Sequence, residues 1–177
     1  MHVADFTIRP AEPRDLPGIL AIYALAVETG LASFELAAPD LDEMTRRHAA
    51  IVGAGFPYLV AERDGAVLGY SYAGPYRPRP AYRFTVENSV YVAEAARGRG
   101  VGRALIAALI EACAARGVRQ MVAVIGDSAN DASIRLHASA GFEHAGLMRS
   151  VGFKFGRWVD SVLMQRPIGA GDTALPG

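Results

Sequence analysis

Apolar and polar positions alternate over Phe6-Thr-Ile-Arg9, which predicts a short strand, and the spacing then changes. Leu16, Ile19, Leu20, Tyr23 and Val27 fall on one helical face behind Asp15, so a helix follows the strand. Asp40 and Glu43 have the spacing of a capping box, and Met44, His48 and Ile51 continue one stripe until Gly53 ends it. Two β-rich runs, 56–61 and 67–73, flank Arg63-Asp64-Gly65, where an Asp-Gly pair supplies the positive φ of a tight hairpin. Tyr76 to Arg83 mixes Arg, Pro and Tyr and reads as an extended loop before a strand over 84–92. Val101, Leu105, Leu109 and Cys113 recur every four residues, with Ile106 and Ile110 beside them, and Gly117 closes this helix. Met121 to Ile125 is a continuous apolar run, the pattern of a strand covered on both faces. A helix over 130–140 closed by Gly141, and strands around 142–147 and 158–164, complete the order.

This order is α+β, hairpin-rich in its first half and strand-helix-strand in its second, with no repeat or linker. At 177 residues, 51% of them hydrophobic, the chain suits one domain, expected over 1–168, with a tail over 169–177 expected to fray. Eighteen basic residues balance eighteen acidic ones, so no global field draws in nucleic acid or an anionic membrane, and any polyanion needs a local site. Seventeen of the basic residues are arginines, whose forked donors suit carboxylates and phosphates; Lys154 is the exception. Cys113 alone can form neither a disulfide nor a zinc site, and no His/Cys/Asp cluster has ligand spacing, so a buried thiol and no metal are expected. The first residues lack the basic and apolar regions of a signal peptide, and no stretch approaches the roughly 20 apolar residues of a membrane span, which predicts a cytoplasmic protein.

Arg97-Gly-Arg-Gly-Val-Gly-Arg103 lies between a strand and the strongest helix. Open N–H groups at a helix start, the helix dipole and glycines that admit close approach make such a loop an anion site, and Arg97, Arg99 and Arg103 add charge. A tight turn that needs glycine for its φ angles is the competing reading. A Rossmann fingerprint would need an acidic residue near position 122, which is Val, and a P-loop would need a Gly-Lys-Ser/Thr that is absent.

The loop resembles the pyrophosphate-binding motif Q/R-x-x-G-x-G/A of the GNAT superfamily of N-acetyltransferases, through Arg97, Gly100 and Gly102. The likeness extends from about Ile8 to Arg166, and Thr85-Val-Glu-Asn-Ser-Val-Tyr-Val92, Ser133-Ile-Arg-Leu-His137 and Gly152-Phe-Lys-Phe-Gly-Arg-Trp-Val-Asp160 are similar to the phosphinothricin and methionine sulfoximine/sulfone acetyltransferases within it. The resemblance implies a mixed, mostly antiparallel sheet of six to seven strands with about four helices, and acetyl transfer from acetyl-CoA to the α-amino group of a small amino acid analogue. It implies acetyl-CoA contacts from Val90, Tyr91 and Val92, from Gly98 and Val101 with the rest of the loop, and from Asn130 and Ser139; for the last two a cap or surface role is the alternative. The resemblance also implies a bulge near Val90 to Val92 that would free backbone donors for the thioester oxygen.

Acetyl transfer needs a base for the ammonium proton, and the resemblance assigns this to Glu87, whose alternative is a solvent-facing strand residue. His137 stands where many superfamily members carry a Tyr that protonates the thiolate, so it is either a general acid or a packed histidine. For the acceptor, Arg77, Arg79 and Arg83 with Tyr76 and Tyr82 suit an anionic amino acid, or form a solvated loop; Phe34, Asn88 and Ser89 are candidate pocket residues, and Lys154 reaches substrate or a partner chain. Trp158 reads as core or interface, and the resemblance implies a homodimer. Two rivals remain: a protein or peptide N-acetyltransferase, which would favour an acidic or open groove, and a non-catalytic acyl-CoA-binding sensor, against which Glu87 argues.

Overall fold

A computed structural model describes residues 5–176; the first four residues, which hold the expected domain start and most of the stretch read as lacking signal-peptide character, and Gly177 of the tail lie outside the described residues. Strand β1 (Thr7–Pro10) leads into helix α1 (Leu16–Thr29) and, after a loop, helix α2 (Leu41–Gly53). The hairpin β2 (Tyr58–Arg63) and β3 (Ala66–Pro75) is followed by β4 (Thr85–Val92), helix α3 (Val101–Ala114), β5 (Gln120–Gly126), helix α4 (Asp131–Ser139), β6 (Glu143–Lys154) and β7 (Arg157–Pro167). The seven strands form one sheet in the order β1-β2-β3-β4-β5-β7-β6, in which β4 and β5 are parallel and every other neighbouring pair is antiparallel.

Each face of the sheet carries its own core. Leu105, Ile106 and Leu109 of α3 pack with Val86, Met121 and Val162, whereas Leu16, Ile19 and Val27 of α1 pack with Val60 and Tyr70. These are the periodic apolar positions, so burial of one stripe per helix holds the layers together. At the hairpin, Asp64 and Gly65 adopt φ 52° and 81°, the positive pair that two-residue turns require. Cys113 is fully buried, and burial pushes its thiol up to about 12. Among the described residues no helix is long and apolar enough to cross a membrane, and no cluster of His, Cys, Asp or Glu side chains could hold a metal ion.

Several details depart from the pattern. Asp40 accepts from Glu43 N at 2.8 Å, but Glu43 does not complete the box, because Arg46 and Arg47 sit one turn on and draw its carboxylate to 2.6 and 2.8 Å. The loop expected to be extended over 76–83 contains a tight turn at Pro80–Tyr82, closed by Tyr82 N to Arg79 O and Arg83 N to Pro80 O. The last two strands outrun their apolar runs, since ladder pairing with β5 and with each other continues through polar positions. Trp158 is 67% exposed and belongs to no core, and Val124 of the apolar run is 38% exposed beside the opening described next. Gly171 N bonds Ile168 O and Thr173 N bonds Ala170 O in the segment expected to fray.

Candidate active site

The parallel pairing of β4 with β5 runs from Thr85↔Gln120 to Asn88↔Ala123 and then stops, although both strands continue. Past that point the strands separate, so the β5-facing edge of β4 from Ser89 onward lacks a strand partner. The expected bulge is absent: β3 and β4 pair from Gly69↔Val92 to Pro75↔Val86 without a shift, and divergence alone opens the sheet. A cavity of about 50 Å³ fills the gap, walled by Asn88 to Tyr91, Ala123 to Gly126, Ala32, and Asn130, Ser133 and His137 of α4.

At the mouth of the split, Gly98 and Gly100 take φ 73° and 83°, and Gly100 caps α3 without a side chain. The first intrahelical bond runs from Ala104 N to Gly100 O, so the preceding N–H groups of α3 stay open at the positive end of its dipole. An added Cβ on Gly102 would lie 3.2 Å from Leu136 and 3.5 Å from Val92, so its role is helix packing. Arg97, Arg99 and Arg103 are exposed; Arg97 reaches Glu94 at 3.5 Å. The glycine φ angles meet the tight-turn reading, and the open N–H groups beside three arginines have the donors and charge that an anion site would need.

Alternation along β4 puts Val86, Asn88, Val90 and Val92 toward α3 and α4, and Glu87, Ser89 and Tyr91 toward α1. Glu87 is half-buried, with no ion pair or hydrogen bond to its carboxylate among the described residues, and burial raises its pKa above the usual 4.5. Asn88 Nδ2 lies 3.0 Å from His137 Nε2, and His137 Nδ1 lies 2.8 Å from Ser133 O. A carbonyl can only accept, so Nδ1 carries the proton and Nε2 accepts from the Asn88 amide. Burial lowers the His137 pKa below 6.5 despite the bond to Ser133, so at neutral pH the ring is uncharged and its Nε2 has no proton to give.

Asn130 caps α4, its Oδ1 accepting from Ser133 N at 3.2 Å, and also walls the cavity. Ser139 is outside that wall; its hydroxyl donates to Leu136 O at 2.8 Å. Of the acceptor candidates, Asn88 and Ser89 reach the cavity wall. Phe34 lies against Gly126 and Gly152, which have no side chain to obstruct its ring. Lys154 is 2% exposed and donates to Ser33 O at 2.8 Å, with burial lowering its pKa. The Tyr76 to Arg83 loop is exposed: Tyr76 and Tyr82 stack edge to face, Arg77 covers Tyr76, and Arg83 covers Phe84. Among the described residues none of Arg77, Arg79 and Arg83 pairs with a carboxylate.

A second cavity of about 340 Å³, beneath α1 and α2, is walled by Tyr23, Tyr58, Tyr70, Tyr72, Met44, Arg47, Ala50 and Ile51, none of which sequence reasoning assigned to a site. The hint was a period-two run of tyrosines, Tyr70 and Tyr72 on β3, where a plain core strand would carry aliphatics; register sets Tyr58 opposite Tyr72. Tyr23 donates to Glu35 at 2.9 Å, and Arg47 reaches the same carboxylate at 2.6 Å, tying the loop after α1 to both helices.

The family model described as the acetyltransferase (GNAT) domain matches residues 8–163. A phosphinothricin N-acetyltransferase of Alcaligenes faecalis is 59% identical over 170 residues, covering 96% of this chain and 86% of that protein. An L-methionine sulfoximine/L-methionine sulfone acetyltransferase of Pseudomonas paraeruginosa is 48% identical over 160 residues, covering 90% of this chain and 92% of that protein. The crystal structure of a phosphinothricin acetyltransferase from Sinorhizobium meliloti, in complex with AcCoA, matches with a TM-score of 0.94 at 47% identity, over 98% of this chain and 94% of that one. With the split strands, the open helix start and a family match over most of its length, this chain belongs to the GNAT acetyltransferase family.

Proposed function

We propose that this protein transfers an acetyl group from acetyl-CoA to the α-amino group of a small glutamate-like amino acid analogue of the phosphinothricin or methionine sulfoximine type. The observation that carries the reading is Glu87: a carboxylate without a partner among the described residues, half-buried beside the split, whose pKa burial moves toward that of a working base. The names and identities of the relatives supply the acceptor class.

Acetyl-CoA, when bound, supplies an activated acyl carbon and a thiolate leaving group. The open N–H groups of α3 with Arg97, Arg99 and Arg103 hold the pyrophosphate, and the unpaired edge of β4 offers backbone N–H groups to the thioester oxygen. Glu87, directly or through water, takes the ammonium proton; the neutral amine would attack the acyl carbon, forming the C–N bond as the C–S bond breaks, with its second proton passing to the departing thiolate. Neutral His137 keeps its proton on Nδ1 against Ser133 O, so its part is to hold Asn88. The unpaired guanidinium groups of Arg77, Arg79 and Arg83 hold the anionic end of the acceptor. The exposed apolar row of Leu147, Met148, Val151, Phe153, Phe155 and Trp158 on the β6–β7 hairpin supports assembly as a homodimer.

The test is thiol release from acetyl-CoA with methionine sulfoximine, methionine sulfone, phosphinothricin, common amino acids and a mixed peptide pool. Turnover confined to the glutamate-like analogues is the expected result. Peptide turnover would move the function to protein acetylation, and binding of acetyl-CoA without turnover would leave either an untested amine or a sensor.

A further inference from the structure

The segment 31–39, between α1 and α2, makes no backbone–backbone hydrogen bond among the described residues, so side chains fix its path. Two sets of anchors hold it. On the side of α1 and α2, Tyr23 OH lies 3.0 Å from Ser33 Oγ and donates to Glu35 at 2.9 Å, while Arg47 reaches the same carboxylate at 2.6 Å. On the far side, Lys154 of β6 donates from Nζ to Ser33 O at 2.8 Å, and the Phe34 ring lies on Gly126 of β5 and Gly152 of β6. The segment is therefore a strap that crosses from the first two helices to the last strands. Its Ala32 walls the split beside Ser89 and Tyr91, which point to the same face of β4 as Glu87.

Lys154 is an expensive anchor. Its ammonium is buried, pairs with no carboxylate among the described residues, and meets only the Ser33 carbonyl and the face of the Phe155 ring, 5.0 Å away. A buried charge ordinarily needs an opposite charge, so one spent on a single carbonyl marks a place where the strap has to be held. That carbonyl stands one residue before Phe34. We propose that Lys154 is a positioning residue for acceptor binding: through Ser33 O it fixes the strap so that Phe34 walls the acceptor side of the split. The inference rests on the acetyl-transfer reading above. Direct contact between Lys154 and the acceptor is the rival, and the two differ in whether the effect passes through Phe34.

The test is steady-state kinetics with methionine sulfoximine on the wild type, Lys154→Met, Phe34→Ala and the double variant, with thermal melting to show that each is folded. Lys154→Met, close to the native side chain in length but without a donor, should raise the KM for methionine sulfoximine about 10-fold, the scale of one charged hydrogen bond. The kcat and the KM for acetyl-CoA should stay within about 2-fold. In the Phe34→Ala background the same substitution should change the acceptor KM by less than about 2-fold, because the wall it positions is gone. Lys154→Gln, which keeps an N–H donor on a shorter arm, should fall between the wild type and Lys154→Met, and it carries the test where the Met variant does not fold. Without any substrate, chymotrypsin nicking after Phe34 or Leu36, read by mass spectrometry, should be faster in Lys154→Met, since the strap opens more often. A KM effect that persists in the Phe34→Ala background assigns Lys154 to the acceptor itself, a fall in kcat with KM unchanged makes it merely structural, and unchanged nicking shows that it does not hold the strap; each overturns the inference. A wild type that acetylates none of the glutamate-like analogues overturns the functional reading instead, while the nicking comparison still decides whether Lys154 holds the strap.

Discussion

Gly152 of β6 faces Phe34, and a Cβ added there would lie 2.5, 2.8 and 2.9 Å from three atoms of the ring. Those separations fall well inside van der Waals contact, so Gly152→Ala forces the ring to tilt or leave. Phe34 is 39% exposed, so of roughly 200 Å² for a Phe side chain about 120 Å² is buried, worth at most about 3 kcal/mol at ~25 cal/mol/Å². A tilt that keeps part of this contact costs nearer 1 kcal/mol. The expected loss is therefore about 1–3 kcal/mol, a fall in melting temperature of about 3–10 °C for a domain of this size. Thermal and urea denaturation followed by circular dichroism reads it. Gly146→Ala on the same strand is the control, since its Cβ meets nothing within 4 Å. The double variant with Phe34→Ala decides the cause: without the ring, Gly152→Ala should cost almost nothing. If Gly152→Ala costs as much in that background as in the wild type, the glycine does not serve the ring and the reasoning fails.

Glu87→Gln should fold normally and lose about 10²- to 10⁴-fold in kcat. Burial raises the Glu87 pKa, so wild-type kcat/KM should fall as pH drops through a value above 4.5, a limb that a pH–rate profile of the variant should lack. Asp15 is buried and takes two bonds from Arg9, at 2.7 and 2.8 Å, which lower its pKa below 3.8. Its stabilisation is present above the unfolded value and lost as pH falls through the folded one, so Asp15→Asn should cost about 2–3 kcal/mol in urea melts at pH 7 and less as pH falls below 3.8. Gly100→Ala should cost about 1–2 kcal/mol through backbone strain alone, because φ is 83° and its Cβ has open space, and calorimetry should show weaker acetyl-CoA binding as the start of α3 is re-aimed.

Features that depend on neighbouring residues could be read before any coordinates. The Asp64-Gly65 turn, the helix stripes and the glycine loop are set within a few positions of one another, and each stands where its pattern puts it. Glu87 and His137 came through family likeness; what no pattern held was how their surroundings are wired. The bond from Lys154 to Ser33 O spans 121 positions, and the Asn88 to His137 pair spans 49. Such contacts join segments far apart in the chain, Lys154 of β6 to the loop after α1 and Asn88 of β4 to α4, which periodicity does not encode. The tyrosine-walled cavity escaped for a related reason: aromatic residues satisfy a strand pattern whether or not space is left beside them. The size of Trp158 did not separate core from interface, and its exposure excludes only the core.

Among the described residues, the four-pair ladder between β4 and β5 is the sole strand pairing that joins β1 to β4 with β5 to β7. By contrast β5 and β7 share seven pairs, so the sheet has a seam. Native-state hydrogen exchange should find two cooperative blocks, with amides of Thr85 to Asn88 and Gln120 to Ala123 opening at lower free energy than those of β2, β3 or β7. A ligand lodged where the ladder ends would bridge both blocks, so occupancy should slow exchange along the seam more than elsewhere. The enzyme would thus be mechanically closed by its own acyl donor, with local cohesion rising on loading and falling on release.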